Sequence, residues 1–388
     1  MNHRNVIDWN AMSDDAFRKE VRSFVQQNYP DELRFLPHRP RWAITKTWAM
    51  KLVEKGWSAP NWPVKYGGMG LSPGKLLIFM DEQELWGVVA QPPNHGIVQL
   101  GPMLIRYGTE EQKATLLPGM RTYETRWVQG YSEPNAGSDL ASLRTEAVLD
   151  GDSFVINGGK IWTSLALDAT HIYLLARTES NTARKQEGIS FLLVDLSLPG
   201  ITVRGIKNIA GSTDFCEIRF ENVRTPRENI VGEINKGWTL AKSVLGFERI
   251  HNGSPRRTQY AFHRLTALAD ERGLFTDAVF MQRYTELRLD VADLKAVYGY
   301  FAARVKKGEA LGPDVSVMKI LATETNQRIT ELMLETSGDH GLSIGTGGSD
   351  SKVDALSPFL FSRSYTLGSG TTEIQRNIVA KSVLNLPQ

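Results

Sequence analysis

The run Asp150-Gly151-Asp152-Ser153-Phe154-Val155-Ile156-Asn157-Gly158-Gly159-Lys160 opens on a tight-turn dipeptide, passes through three strand-forming residues and meets a second turn signal, Asn157-Gly158. The same rhythm continues through His171-Ile172-Tyr173-Leu174-Leu175, Ser190–Val194 and Ile201-Thr202-Val203, with a Pro-Gly between the last two. These strands lie too close together for helical crossovers, so a parallel nucleotide-binding sheet is disfavoured and an antiparallel β module over 122–232 is expected. G-x-G-x-x-G is absent from this region, which removes the main support for a Rossmann unit.

On both sides of this module the periodicity changes to helical. Upstream, Ala16, Val21, Phe24 and Val25 recur at near-helical spacing behind a possible Ser13 cap, and Pro30 lies beyond the end. Further helices are expected over 44–55, 72–86 and 109–119, giving an N-terminal helical domain, 1–121. The glycines of Tyr66-Gly67-Gly68-Met69-Gly70 follow a Pro/Trp-rich loop, not a strand, and read as a connecting turn in place of a phosphate cradle. Downstream, long helices are expected over 236–270, 276–307 and 314–337, with a shorter one near 371–383. They form a C-terminal four-helix bundle, 233–388. The fold class is therefore α+β, in the order helical, β, helical.

Bulk properties narrow the function. The chain has 388 residues, is 41% hydrophobic and 23% charged, and carries a formal net charge of +2, which gives no electrostatic case for nucleic acid. The single cysteine, Cys216, excludes an internal disulfide and reads as a buried strand thiol. His3, His38, His95, His171, His251, His263 and His340 show no metal-ligand spacing, so no metal is expected. Neither a signal peptide nor a membrane-length apolar run is apparent, and a cytoplasmic location without membrane insertion is expected.

Three stretches carry a resemblance. Gly130-Tyr131-Ser132-Glu133-Pro134-Asn135-Ala136-Gly137-Ser138-Asp139-Leu140, Asn157-Gly158-Gly159-Lys160-Ile161-Trp162-Thr163-Ser164 and Gly368-Ser369-Gly370-Thr371-Thr372-Glu373-Ile374-Gln375-Arg376 resemble, in order and spacing, signatures of the acyl-CoA dehydrogenases. Arg106–Lys113 and Phe220–Pro226 are weaker echoes. The resemblance implies FAD as cofactor and an acyl-CoA thioester as substrate. It further implies dehydrogenation at Cα–Cβ, with electrons passing to an electron-transfer flavoprotein. Carried over residue by residue, Tyr131, Ser132, Gly137, Ser138, Trp162, Thr163 and Ser164 belong to the flavin site, with Trp162 as the flat wall. Thr371 and Glu373 join them from the C-terminal signature. Ser138, Arg249 and the backbone of Ser369 are expected at the substrate. Small hydroxylated residues next to glycine suit this chemistry, because a reduced flavin needs close donors.

A dehydrogenase of this kind also needs a carboxylate to take the α-proton. Many relatives place it just before the C-terminal Gly-Thr, where this chain has Ser369, whose hydroxyl is far too weak a base. Glu248 is the expected replacement. Trp238, Ala241, Leu245 and Glu248 follow i, i+3, i+7, i+10 spacing, which sets a carboxylate on an apolar helical stripe where burial raises its pKa. Leu245–Arg249 is similar to the branch resembling isovaleryl- and long-chain acyl-CoA dehydrogenases. The competing reading of Glu248, a structural carboxylate paired across the bundle, stays open.

Two departures point to a partner. Relatives hold the FAD pyrophosphate and adenine of a neighbouring subunit with an Arg ahead of Phe-Gly and a Gln ahead of Gly-Gly. Here Glu271-Arg272-Gly273-Leu274-Phe275 is only loosely similar, and Glu335 stands in the Gln position. The expected assembly is a homo-oligomer or a heterotetramer with a second acyl-CoA dehydrogenase subunit, as in relatives of pimeloyl-CoA and steroid side-chain dehydrogenases. A branched or bulky acyl group, such as a steroid side chain, is the expected substrate class. The alternatives are a half-site or non-catalytic subunit, and a flavin oxidase or monooxygenase on the same scaffold.

Overall fold

The computed structural model describes residues 7–36, 39–88, 95–247, 253–342 and 353–387. Its first helices are α1 (Asp14–Asn28), α2 (Trp42–Lys55) and α3 (Pro73–Leu85), each close to its expected span. Ser13 caps α1 by accepting from the Ala16 N–H at 3.2 Å, and Ser72 does the same for α3. The Gly67–Gly70 segment is a connecting turn, as expected. Its N–H groups are spent internally, Gly67 on Val64, Met69 on Ala59 and Gly70 on Trp62. Gly68 is obligatory there, since a Cβ would lie 2.2 Å from the Trp62 carbonyl.

A π-helical turn, Gly96–Leu100, leads directly into α4 (Gly101–Tyr107), an element the periodicity did not reveal. Glycines seat it at both ends. A Cβ on Gly96 would press the Trp127 indole at 3.2 Å, and one on Gly101 would overlap the Trp62 ring. Helix α5 (Glu110–Arg121) follows, closed by a Thr109–Gln112 capping box.

The central sheet runs β6-β7-β3-β2-β4-β5-β8, with β1 attached to β4. The strands are β1 (Trp127–Gly130), β2 (Glu146–Asp150), β3 (Ser153–Ser164), β4 (His171–Arg177), β5 (Ile189–Asp195), β6 (Ile201–Ile206), β7 (Phe215–Pro226) and β8 (Ile230–Val231). Most pairs are antiparallel as expected, but β1 runs parallel to β4. The β2–β3 hairpin lies between them in sequence and supplies the crossover a parallel pair requires. Asp150-Gly151 turns that hairpin, with Asp150 opposite Ser153.

Asn157-Gly158, expected as a turn, is instead a bulge within the twelve-residue strand β3. Gly158 takes φ +139 there, and a Cβ would sit 2.7 Å from the Thr145 Cα, so the glycine serves close strand approach. The interior of β4, 172–176, is buried and largely apolar because both its faces are covered. Ile172, Leu174 and Ala176 join Cys216, Ile218 and Phe220 on one side, while Tyr173 and Leu175 join Trp62, Leu100 and Trp127 on the other.

Helix α6 (Gly237–Phe247) packs on β5 and on the π-turn, contributing Leu240 and Ala241 to the core shared with the N-terminal helices. The expected continuous helix over 236–270 is not what forms. A turn at Gly253 and Pro255 at the cap precede a separate helix, Arg256–Glu271, since a proline disfavours helical backbone in the residue before it. The longer bundle helices are Ala278–Lys306 and Ser316–Thr336, followed by Leu356–Ser362, absent from the expectation, and Thr372–Ser382. Ser316–Thr336 packs against the other four and is buried nearly all round, which explains its weak amphipathic pattern. No helix among the described residues is long and apolar enough to cross a membrane.

Candidate active site

A buried ion pair organises the first two signature stretches. Glu133 accepts from the Arg144 N–H at 2.6 Å, from the Thr145 N–H at 2.9 Å and from Lys160 Nζ at 2.7 Å. Lys160, fully buried on β3, also donates to the Tyr131 carbonyl at 3.2 Å. The Ile161 N–H donates to the Ser132 carbonyl at 2.9 Å. Tyr131 and Ser132 are thereby clamped beside Lys160–Trp162. Burial pulls the Lys160 ammonium down to about 8 against the opposing charge of Glu133. Burial also pushes Glu133 upward, but Lys160 and the donors from Thr145 and Arg144 outweigh it and hold the carboxyl below its ordinary value.

The folded pKa of Glu133 lies below the ordinary value of 4.5, so its stabilisation is complete above that pH and is lost as pH falls through the folded value. Glu133→Gln should therefore be less stable than wild type at pH 7, with the gap closing on acidification towards pH 3. Urea midpoints measured along that series check this.

One residue beyond Ile161 the strand breaks register, between Lys160 and Thr163 against β7. The bulge puts Trp162 at φ +62 and leaves its indole 56% exposed, edge-on to Phe215 at 6.2 Å. A bulky residue in left-handed backbone, presenting a flat ring outward, is an uncommon arrangement that suits a stacking wall. The bulge turns Thr163 inward. It is 2% exposed, and its Oγ1 has no hydrogen-bond partner among the described residues. Ser164 Oγ accepts from Arg39 at 2.8 Å, a cation from the N-terminal module that the sequence did not single out. Ser132 is half-buried, and Gly137 and Ser138 are exposed on the loop. That loop is held by Asp139, which takes Lys185 at 2.5 Å and Ser142 at 2.5 Å. An aromatic platform, an unmet buried hydroxyl and two further serine hydroxyls at one strand end fit a flat heteroaromatic cofactor with polar edges.

The C-terminal stretch forms its own constellation. Ser369 at φ +55 and Gly370 at φ +81 make consecutive left-handed residues, and Thr371 then caps Thr372–Ser382 by accepting from Ile374 N–H at 3.2 Å. Lys319 and Gln327 pin this turn from the central bundle helix, donating to the Thr366 carbonyl at 2.9 Å and the Thr366 Oγ1 at 3.1 Å. Burial brings Lys319 down to about 8. Glu373 lies exposed in the first turn of the helix, its carboxyl held down by the N-terminal backbone and Thr371. Neither Lys319 nor Gln327 was found from the sequence, because each looks like an ordinary helical polar residue until the turn beside it is seen.

Glu248 and Arg249 lie outside the described residues. α6 carries the chain towards them with Ala241 buried and Trp238 packed against the core shared with β5. Glu335 is paired with Arg283, which holds its carboxyl below the usual range, while Arg272 donates to the Ser337 carbonyl at 2.7 Å. The acidic charge of Glu335 is thus compensated within the chain. Cys216 is buried, and burial raises its thiol pKa, in keeping with an inert strand cysteine. Among the described residues, no group of three or more His, Cys, Asp or Glu could hold a metal ion.

Comparison with known proteins covers nearly the whole chain. Residues 12–124, 129–223 and 235–384 match the models of the acyl-CoA dehydrogenase N-terminal, middle and C-terminal domains. Acyl-CoA dehydrogenase IpdE1 of Mycobacterium tuberculosis is 36% identical over 386 residues, covering 96% of this chain and 98% of that protein. Among solved structures, the Tcur3481-Tcur3483 steroid ACAD superposes with a TM-score of 0.87 at 30% identity, covering 97% of this chain and 98% of that one. The ChsE4-ChsE5 complex of Mycobacterium tuberculosis gives a TM-score of 0.82 at 30% identity, with 97% and 98% covered.

Proposed function

The chain belongs to the acyl-CoA dehydrogenase family, and on that premise we propose that it oxidises the Cα–Cβ bond of a bulky or branched acyl-CoA thioester at a site holding FAD. The observation that carries the cofactor assignment is the β3 bulge, which displays the Trp162 indole and buries the unpartnered Thr163 hydroxyl beside it. When bound, FAD supplies the hydride acceptor. Trp162 provides the wall, and Tyr131, Ser132, Thr163 and Ser164 provide the polar edge. Gly137 and Ser138 stand on the loop towards the CoA-bearing substrate, and Thr371 and Glu373 contribute from the bundle.

Glu248 takes the α-proton from the thioester. The Ser369 N–H, aimed by the left-handed turn that Lys319 and Gln327 pin, donates to the thioester carbonyl and stabilises charge developing there. Arg249 stands near the substrate. The three-module partition at 121/122 and 232/233 belongs to the same proposal, supported by an apolar cluster around Trp48 and Trp57, one within the sheet and one within the bundle.

Electrons leave to an electron-transfer flavoprotein, and the chain works in the cytoplasm as a homo-oligomer or paired with a second dehydrogenase subunit. The pairing is supported by the likeness to ChsE4-ChsE5, itself a complex of two chains, and by Glu335 in place of the family's Gln. Bulky substrates are supported by the likeness to a steroid ACAD.

Purified protein, alone and co-expressed with its genomic neighbour, mixed anaerobically with short, branched, long and steroidal acyl-CoAs tests this. Bleaching of a bound flavin by one class is the expected result. Protein that is yellow yet bleached by none of them would overturn the dehydrogenase assignment, and peroxide formation in air without an added acceptor would favour an oxidase. Colour only on co-expression would establish the dependence on a partner.

A further inference from the structure

Arg39 reaches the site from outside the signature stretches, and its surroundings fix it there. Its Nη1 donates to Ser164 Oγ at 2.8 Å, and its guanidinium lies 5.9 Å from the centre of the Phe215 ring, the β7 register partner of Ser164. The backbone is tied down on both sides. Upstream, Arg34 stacks over the Trp86 ring at 3.8 Å and donates to the Trp86 carbonyl at 2.9 Å. Phe35, at φ +58, donates its N–H to the Gly87 carbonyl and stacks on Tyr260 of the bundle at 4.2 Å. Downstream, Arg41 pairs with both oxygens of Asp168 at 2.6 and 2.7 Å, and the Trp42 N–H donates to the same carboxylate at 3.0 Å. Asp168 lies four residues beyond Ser164, so this pair docks the N-terminal module at the end of β3 that carries the site. Pro40, between the two arginines, is buried and favours extended backbone at Arg39.

The contact with Ser164 has only one direction. A guanidinium carries donors and no acceptor, so Ser164 Oγ must accept, and the hydroxyl's own hydrogen is left for a second acceptor. None of the described residues takes it. A hydroxyl that accepts from a cation is the more polarised donor, because hydrogen bonds in series strengthen one another. Ser164 stands two residues after Trp162, and Phe215 lies edge-on to that indole. A cation at this strand end therefore bears on whatever covers the indole. Its charge also reaches inward, since burial and then the charge of Arg39 bring the His95 imidazole down to about 4. Arg39 itself is exposed, so water weakens its field and the effect expected of it is modest.

Resting on the dehydrogenase reading above, we propose that Arg39 is a positioning residue of the flavin site. It holds the Ser164 oxygen so that the hydroxyl hydrogen is presented to the polar edge of the cofactor, and it lends a positive charge that favours the reduced form. A reduced flavin carries more negative charge than an oxidised one, so a cation and a polarised donor at its edge raise its potential. The role belongs to the N-terminal module, whose docking through Arg41–Asp168 and Phe35–Tyr260 then sets the poise of a cofactor held by the β module. Lysine in place of Arg39 would keep the charge but offer a single flexible point of donation in place of a planar fork.

The test uses the flavin-loaded protein, co-expressed with its neighbour if colour requires it, and reads the flavin midpoint potential by reductive titration against a reference dye, with no thioester present. Arg39→Met is expected to lower the ratio of reduced to oxidised flavin about tenfold at a fixed poise, ~30 mV for a two-electron couple. Arg39→Lys should hold most of the wild-type value. In a Ser164→Ala background Arg39→Met should do less, because the hydroxyl that relays part of the effect is gone. Urea midpoints should stay at the wild-type value, since Arg39 is exposed. A wild-type potential in Arg39→Met, or an equal shift in Arg39→Lys, would overturn the role, as would loss of flavin accompanied by a lower urea midpoint. Loss of flavin from Arg39→Met alone, at an unchanged urea midpoint, carries the same conclusion as the shift. A wild type that holds flavin yet is bleached by no thioester would remove the dehydrogenase reading, whereas an unchanged Arg39→Met potential beside normal bleaching would remove only the role of Arg39.

Discussion

Glu248→Gln is expected to retain bound flavin yet reduce it roughly 10²–10⁴-fold more slowly with the best acyl-CoA, the usual worth of a positioned general base. The substitution keeps shape and hydrogen-bonding capacity while removing the proton acceptor. With serine at 369, the C-terminal loop holds no carboxylate at the position many relatives use. α6 places Ala241 in the core against β5, and the spacing of Trp238, Ala241, Leu245 and Glu248 predicts the same stripe for position 248. An apolar helical stripe, which the sequence spacing predicts for Glu248, is an environment that disfavours an ionised carboxyl and lifts its pKa towards the working range of a base. Stopped-flow bleaching of both proteins checks this, with the flavin spectrum as control for folding. If the variant bleaches at the wild-type rate, the base lies elsewhere and Glu248 is an ion-pairing residue.

The order helical, β, helical was legible because period-3.6 and period-2 patterns alternate cleanly along the chain and Asp150-Gly151 announces its hairpin. Asn157-Gly158 misled for a physical reason. The dipeptide tolerates positive φ equally in a turn or in a bulge, and only the partner strand β7 decides which forms. The parallel attachment of β1 to β4 is likewise a matter of tertiary pairing, invisible to local propensity. The π-turn escaped detection because it shifts the apolar period between 96 and 107, and Leu356–Ser362 is too short to show one.

At the site, motif matching named Tyr131, Ser132, Trp162, Thr163 and Ser164 and passed over the buried ion pair that holds them. Glu133 and Lys160 stand inside the quoted stretches, where the sequence reading gave them no role. That the two are buried together is a consequence of the sheet register, which brings the 131–133 loop alongside 160–161. The signal was nonetheless present. A lysine between Gly159 and Ile161 in a strand with apolar neighbours needs a buried acid, and the loop before it offers one.

Lys160→Met carries the second large effect. Removing the ammonium leaves Glu133 buried with backbone donors alone, and breaking such a pair from one side costs about 3–5 kcal/mol. The loss should not be confined to stability. Lys160 also holds the Tyr131 carbonyl, so the loop bearing Ser132 loses its clamp on β3 and the bulge that displays Trp162 loses its fixed neighbour. Urea unfolding should therefore show a large drop in midpoint, and the folded fraction should lose flavin colour on dialysis where wild type keeps it. The double variant Glu133→Gln/Lys160→Met discriminates the two roles. With no uncompensated charge left, its stability should recover much of the loss, making the two substitutions strongly non-additive. Its flavin retention should stay low, because the contact to Tyr131 is still missing. Recovery of both properties together would mean that the pair serves folding alone, whereas recovery of stability without colour assigns Lys160 to the cofactor site as a positioning residue.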